Sequence, residues 1–219
     1  MGWRQAMPGV FRGDPAYDRD DSHDLSVRAK ISNLPVRSRL TKRFCQWREN
    51  PGAGEGLTAA LDFVNGRIRP PFLLLFGKPG LGKSHLAIAI GWHYLINGRT
   101  AAYYQAEDLL DTLREGYRPQ QARANLDSSA DSYDKVMKFA KKVDLLLLDD
   151  LGAHKGTDWA AAKLDQLINH RYTGGLATVI TANTLEIPDR ILDRCREGRV
   201  VRLRGESYRA LKGQAILRQ

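Results

Sequence analysis

Cysteine is nearly missing from this chain, which has only Cys45 and Cys195. Two thiols so distant in sequence supply neither a disulfide framework nor a zinc set, and a reducing cytoplasm is the simplest setting for them. No stretch approaches the roughly 18 consecutive apolar residues of a membrane span, and Met1 to Val10 has no apolar core of signal-peptide length. A soluble, cytoplasmic protein with no membrane partner is therefore expected. His85, His93, His154 and His170 do not stand at metal-ligand spacing with cysteine, so packing or surface roles suit them better. There is no internal repeat. Acid is outnumbered: Asp and Glu total 25 against 34 Lys and Arg, for a formal charge of +9. That balance favours an anionic partner, nucleic acid or an acidic protein surface, and charge alone does not choose between them. With 219 residues the chain can bury one sizeable core and is too short for two large domains.

Against these absences stands one dense motif. Phe72-Leu-Leu-Leu-Phe76 is a continuous apolar run between Pro70-Pro71 and Gly77, the pattern of a strand buried on both faces of a parallel sheet. Gly77-Lys-Pro-Gly-Leu-Gly-Lys-Ser84 follows and fits Gly-x-x-x-x-Gly-Lys-[Ser/Thr], after which Leu86, Ala89, Ile90 and Tyr94 repeat at helical spacing. A phosphate chain is held by backbone N–H groups lining a concave turn, which the glycines of this loop permit. Lys83 then reaches the outer phosphates and Ser84 offers its hydroxyl to Mg²⁺, while the helix beginning there aims its positive end at the same phosphates. A glycine turn with a solvated lysine is the bland alternative, and the strand before and helix after weigh against it.

Around the motif the chain reads as follows. Met1 to about Asp24 is polar, with acids at Asp14, Asp18, Asp20, Asp21 and Asp24, and is expected to be mobile. Arg28, Lys30, Arg37, Arg39, Lys42, Arg43 and Arg48 come next, interleaved with Ile31, Leu34, Leu40, Phe44 and Trp47. That segment fits a nucleic-acid or partner contact, and equally a basic face docked on the main domain. Pro51 to Gly56 reads as a linker, giving an N-terminal extension over 1–56. Strands are predicted over 72–76, 100–104, 143–148, 177–181 and 200–203. Helices are predicted over 57–64, 107–115, 133–142, 157–172 and 191–195, with a loop or partly ordered insert at 117–131. Such alternation gives an α/β fold, a three-layer α/β/α sandwich on a five-stranded parallel sheet.

Leu145-Leu-Leu-Leu-Asp149-Asp150 brings two carboxylates to the end of a buried strand, where ligands of open α/β sheets sit. Asp149 suits Mg²⁺ and Asp150 suits polarising an attacking water; a pair of solvated strand-end acids is the alternative. Asn183, in Thr181-Ala-Asn-Thr184, follows the fourth strand and can rise beside those acids, or be an ordinary turn asparagine. Trp92 and Trp159 suit core or groove positions.

Five blocks in this order and spacing carry a resemblance: Gly77 to Ala87, Leu145 to Gly152, Thr157-Asp-Trp159 with Leu167 to Tyr172, Thr178 to Asn183, and Gly205 to Arg209. Together they resemble the AAA+ ATPases of the DnaC/IstB type, helicase loaders and transposition helper ATPases, over about residues 57–209. The resemblance implies an ATP site formed by Gly77, Lys78, Pro79, Gly80, Leu81, Gly82, Lys83, Ser84 and His85, with Lys83 and Ser84 as Walker A. It implies Asp149 and Asp150 as Walker B, with Ser84 and Asp149 on Mg²⁺, and Asn183 as sensor 1. Arg194 becomes the arginine finger offered to a neighbouring subunit in a homo-oligomer, with Arg190 as the competing residue. A solvated basic face made by Arg190, Arg194, Arg196 and Arg199 is the alternative.

Three departures qualify the resemblance. Asp150 stands where most AAA+ proteins have Glu. Ten residues follow Arg209, a short tail over 210–219, so little or no C-terminal lid and no sensor 2 arginine are expected. The roughly 55 residues before the core are short for a loader's helicase-binding domain. The leading expectation is an ATP-hydrolysing protein of DNA replication, a DnaC-like loader acting on single-stranded DNA and a replicative helicase, with Arg114 and Arg118 as candidate DNA contacts. The alternatives are an IstB-like transposition helper ATPase, a P-loop kinase of nucleotides or small molecules, and a nucleotide-binding adaptor that barely hydrolyses.

Overall fold

The first and third strands are short apolar runs that stop where glycine or an acid interrupts them, while the last is Arg-Val-Val-Arg. The computed structural model describes residues 22–47, 52–116, 127–152 and 158–208. Its helices are α1 Ser22–Ile31, α2 Gly54–Val64, α3 Lys83–Ile96, α4 Ala106–Gly116, α5 Asp127–Lys142, α6 Asp158–Thr173 and α7 Asp189–Glu197. The strands are β1 Phe72–Phe76, β2 Ala101–Gln105, β3 Leu145–Asp149, β4 Ala177–Ala182 and β5 Arg199–Arg202, and two 3₁₀ turns lie at Val36–Leu40 and Phe44–Gln46. All strands pair in parallel in one sheet of order β2-β3-β4-β1-β5.

Because side chains alternate across a strand, the sheet divides the core in two. Leu73, Leu75, Leu145, Leu147, Val179 and Val201 face α3, α2 and α1. Phe72, Leu74, Leu146, Leu148 and Ile180 face α4, α5, α6 and α7. This is the expected three-layer architecture, with helices covering both faces of a parallel sheet. No helix among the described residues is long and apolar enough to cross a membrane.

Several elements differ from their sequence-based bounds. Residues 22–47, which composition sets in an extension, bury Leu25, Ala29, Leu34, Phe44 and Trp47 in the same cluster as β1 and α3. The segment also covers the free edge of β2, where Tyr103 donates its backbone N–H to the Ser32 carbonyl at 2.8 Å. The expected linker at 51–56 is partly helix, since α2 begins at Gly54, with Gly56 packed closely against Leu203. Helix α5 begins within the expected insert because its first residues, 127–132, include neither Pro nor Gly, and polarity alone does not break a helix. The remaining expectations for 1–21, 117–126, Thr157 and 209–219 lie outside the described residues.

Behind the sheet sits a buried cation. Arg171, with no exposed surface, donates Nε to Thr178 Oγ1 at 3.0 Å and Nη2 to the Ala177 carbonyl at 2.7 Å. Its Nη1 donates to the carbonyls of Ala140 and Val143 at 2.7 and 3.0 Å, so one guanidinium ties the end of α5 to α6 and β4. Desolvation lowers its pKa to about 10, which leaves it charged at neutral pH. Arg171→Leu strands three buried carbonyls and should lower unfolding free energy by about 3 kcal/mol. Urea denaturation of the two proteins measures the difference.

Candidate functional site

The order of the sheet brings the carboxyl ends of β1, β4 and β3 side by side. From β1 the chain enters the glycine loop, and from β3 and β4 it delivers Asp149, Asp150 and Asn183. Lys83, on the first turn of α3, is only 6% exposed, and its Nζ donates to the Gly77 carbonyl at 2.7 Å and the Lys78 carbonyl at 3.0 Å. The same ammonium donates to Asn183 Oδ1 at 2.9 Å, and Asn183 Nδ2 donates to Asp150 Oδ1 at 2.8 Å. The loop lysine, the β4 asparagine and the second strand-end acid thus form one hydrogen-bonded chain.

Asp149 sits just below this chain and is almost fully buried. Both of its oxygens accept from hydroxyls on flanking strands: Tyr103 on β2 donates to Oδ2 at 2.6 Å and Thr181 on β4 donates to Oδ1 at 2.5 Å. Thr181 Oγ1 in turn accepts the backbone N–H of Asp150 at 2.9 Å. Asp150 has φ of 57°, a left-handed conformation that aspartate tolerates better than most residues, and this turn out of the sheet points its carboxylate toward Asn183. Burial, and then the neighbouring Asp149, push the Tyr103 phenol far above its ordinary range, so it remains a neutral donor.

The loop is braced from both sides. Gly82 has φ of 94°, and a Cβ there would come 2.6 Å from the ring of Trp47. Sequence reasoning has the loop glycines permit a concave phosphate-holding turn, and at Gly82 the fold adds a nearer constraint, that indole. Trp47 meets His85 edge-on at 5.5 Å, and His85 Nε2 lies 3.0 Å from the Arg43 carbonyl, which makes it the N–H donor. On the other side the backbone N–H of Tyr208 donates to the Gly80 carbonyl at 2.9 Å, and a Cβ at Gly80 would strike Ser207. Lys78 and Pro79 stay exposed at the loop tip, Leu81 is buried, and Ser84 opens α3 half-buried.

Arg194 belongs to a different neighbourhood. Its guanidinium donates to Asp165 Oδ1 at 3.2 Å, Asn169 Oδ1 at 2.6 Å and the Arg190 carbonyl at 2.8 Å, which holds it against α6. Arg190 reaches the same Asp165 at 3.3 Å while its side chain stays 79% exposed. Arg114 pairs with Asp111 at 3.2 Å on α4, and Arg118 lies outside the described residues.

Three contributors escape a motif reading: Tyr103, Thr181 and Trp47. A hydroxyl at position 103 or 181 near the carboxyl end of an otherwise apolar strand is the available signal for the first two. Trp47 has none, since its segment lacks helical or strand periodicity.

A family model described as IstB-like ATP binding protein matches residues 19–215, a span that includes the glycine loop and Asp149. The chain belongs to this family. Among relatives of the IstB-like chain, the uncharacterized protein YdaV of Escherichia coli (strain K12) is 31% identical over 91% of this chain and 75% of its own length. The replicative helicase loader DnaC of the same strain is 26% identical over 56% of this chain and 49% of its own. An insertion sequence IS5376 putative ATP-binding protein of Geobacillus stearothermophilus is 25% identical over 86% of this chain and 66% of its own. The chain thus spans about half of the loader it matches. Of solved structures, AMPPCP-bound DnaA from Aquifex aeolicus superposes with a TM-score of 0.63 at 18% identity, over 81% of this chain and 55% of the other. A DnaC helicase loader superposes with a TM-score of 0.57 at 22% identity, over 74% of this chain and 97% of the other. These likenesses give the AAA+ P-loop fold to the chain.

Two histidines of α3 make stability depend on pH. Burial lowers the pKa of His85, and burial followed by the charge of Arg99 lowers that of His93, both from 6.5. Below about 6.5 the unfolded chain therefore binds more protons than the folded one, and stability falls as pH drops toward the folded values. Urea unfolding should lose stability between pH 6.5 and 5.5, by at most about 1.4 kcal/mol per histidine. His85→Gln, which keeps a donor for Arg43, should remove its share of the slope.

Proposed function

We propose that this protein hydrolyses ATP with Mg²⁺ and uses the cycle to switch an assembly on single-stranded DNA, as a DnaC-type helicase loader of the bacterial cytoplasm. The observation that carries the reading is the chain from Lys83 through Asn183 to Asp150. An arriving γ-phosphate competes with the Gly77 and Lys78 carbonyls for Lys83, a charge-assisted exchange that favours the phosphate. Asn183, released from the ammonium, stays bonded to Asp150, and the two can hold a water between an acceptor carboxylate and a donor amide. Asp150 is one methylene shorter than glutamate, and the left-handed turn at this residue brings its carboxylate within reach of Asn183.

The donors available to Mg²⁺ are the Ser84 hydroxyl and the Asp149 carboxylate. Hydroxyls occupy two of the four lone-pair directions of Asp149, which leaves two for the metal or its waters, a hard-oxygen set that fits Mg²⁺. Held by these two residues, Mg²⁺ would supply positive charge against the phosphates of the nucleotide.

Assembly would bring α7 of one copy to the nucleotide of the next. Arg194 acts in trans once it is freed from Asp165 and Asn169, and Arg190 is the exposed residue one turn away. The net charge of +9 supports a polyanionic partner, with Arg114 and Arg118 as contacts. A second reading, support of transposition, is favoured by similarity to the IS5376 ATP-binding protein over 86% of the chain. The two separate on binding assays with a hexameric replicative helicase and with a transposase.

Lys83→Ala should weaken ATP binding at least about tenfold, while Asp149→Asn should spare much of the binding and abolish hydrolysis. Unchanged rates in both variants would remove the site assignment. Hydrolysis per subunit should rise with protein concentration, because an arginine supplied in trans accelerates it about 10³- to 10⁵-fold. Arg194→Ala should lower that rate with ATP affinity intact, and mixing it with Lys83→Ala should restore part of the activity. A mixture as inactive as its parts, with association retained, transfers the role to Arg190. DNA affinity should fall as salt rises; a flat response assigns the basic surface to a protein partner.

A further inference from the structure

We propose that Tyr103 is a positioning residue for the metal-binding carboxylate, its hydroxyl fixing Asp149 so that the nucleotide site saturates at low Mg²⁺. The inference rests on the reading of Asp149 as the Mg²⁺ partner. Parallel register sets Tyr103 opposite Leu147 and Gln105 opposite Asp149, so the phenol lies one row below the acid on the same face of the sheet. From there it reaches up and across to Asp149 Oδ2 at 2.6 Å.

The direction of that bond is determined by its surroundings. A phenol has one hydrogen, and its oxygen accepts from Gln105 Nε2 at 3.3 Å, so the hydrogen is committed to Asp149. The residue is 8% exposed, and its backbone N–H is held by the Ser32 carbonyl, which anchors main chain and hydroxyl alike. Thr181 grips the other oxygen at 2.5 Å from the opposite strand. With donors on both sides the carboxylate cannot rotate about its terminal bond, and each oxygen keeps one lone pair for the metal or its waters. Without the phenol, Asp149 is held on one side only and Oδ2 loses its donor. A packing role alone would be filled equally well by phenylalanine, whose ring is the same size. Removing an outer partner of a metal-binding group typically costs 10- to 100-fold in metal affinity.

The test uses the full chain and a fluorescent ATP analogue, with equilibrium binding followed across a Mg²⁺ titration and in EDTA. Tyr103→Phe should raise the half-saturating Mg²⁺ concentration about tenfold and leave nucleotide affinity in EDTA unchanged. Tyr104→Phe, on the opposite face of β2, should leave the Mg²⁺ midpoint in place. An unaltered Mg²⁺ midpoint in Tyr103→Phe, whether or not its melting temperature falls, overturns the inference and reduces Tyr103 to packing. If nucleotide affinity of the unsubstituted protein ignores Mg²⁺ altogether, the reading of Asp149 fails and the inference goes with it.

Discussion

A carboxylate buried at the end of an apolar strand is the constraint on which the site depends. Asp149 follows four leucines with almost no exposed surface, and an ionised acid in that position is costly unless donors converge on it. They come from the two strands that flank β3, Tyr103 from β2 and Thr181 from β4. The arrangement requires β3 to lie between them in parallel register, so the sheet order and the acid depend on each other. Thr181 then passes the constraint onward by accepting the Asp150 N–H as the chain leaves the sheet in a left-handed turn. Asp150, Asn183 and Lys83 fall into line behind it.

The glycine loop, by contrast, is shaped from outside the sheet. Its own backbone supplies two of the acceptors that hold Lys83, and the segments before α2 and after β5 supply its walls. Covering β2 and bracing the loop are tasks of the same stretch, 32–47, through Ser32 at one end and Trp47 at the other. The two faces of the sheet therefore differ in role. The face of α1, α2 and α3 holds the loop and the buried acid, while the face of α4 to α7 is closed by Arg171 and carries Arg190 and Arg194 near its rim.

What the sequence made legible was whatever depends on short-range rules. Buried parallel strands announce themselves as unbroken apolar runs, and the loop and the paired aspartates are local patterns whose spacing is fixed by the phosphates they would serve. The strands over 72–76 and 145–149 and the placing of Asn183 beside the paired aspartates could be read in this way. The docking of 22–47 could not, because Leu25 and Ala29 lie on α1, Leu34 in the loop after it, Phe44 on the second 3₁₀ turn and Trp47 just past it, and the five follow no single period. Tyr103 was hidden for another reason: its partner is 46 residues away, and only the register of β2 against β3 brings the two together. Helix bounds failed where polar residues extend a helix without a breaker, as at Asp127.

The indole of Trp47 lying against the α-carbon of Gly82 makes the N-terminal segment and the phosphate loop mechanically one object. Pulling residues 43–47 away would leave the left-handed turn at Gly82 without its wall and cut the carbonyl that orients His85. Free energy is a state function, so the influence must run equally in reverse. Whatever a nucleotide gains or loses from the presence of that wall, the segment gains or loses in its hold on the domain when the nucleotide arrives. A partner that gripped residues 22–47 would sit against the loop through the Trp47 indole and the bond between the Arg43 carbonyl and His85, both on one face of the sheet.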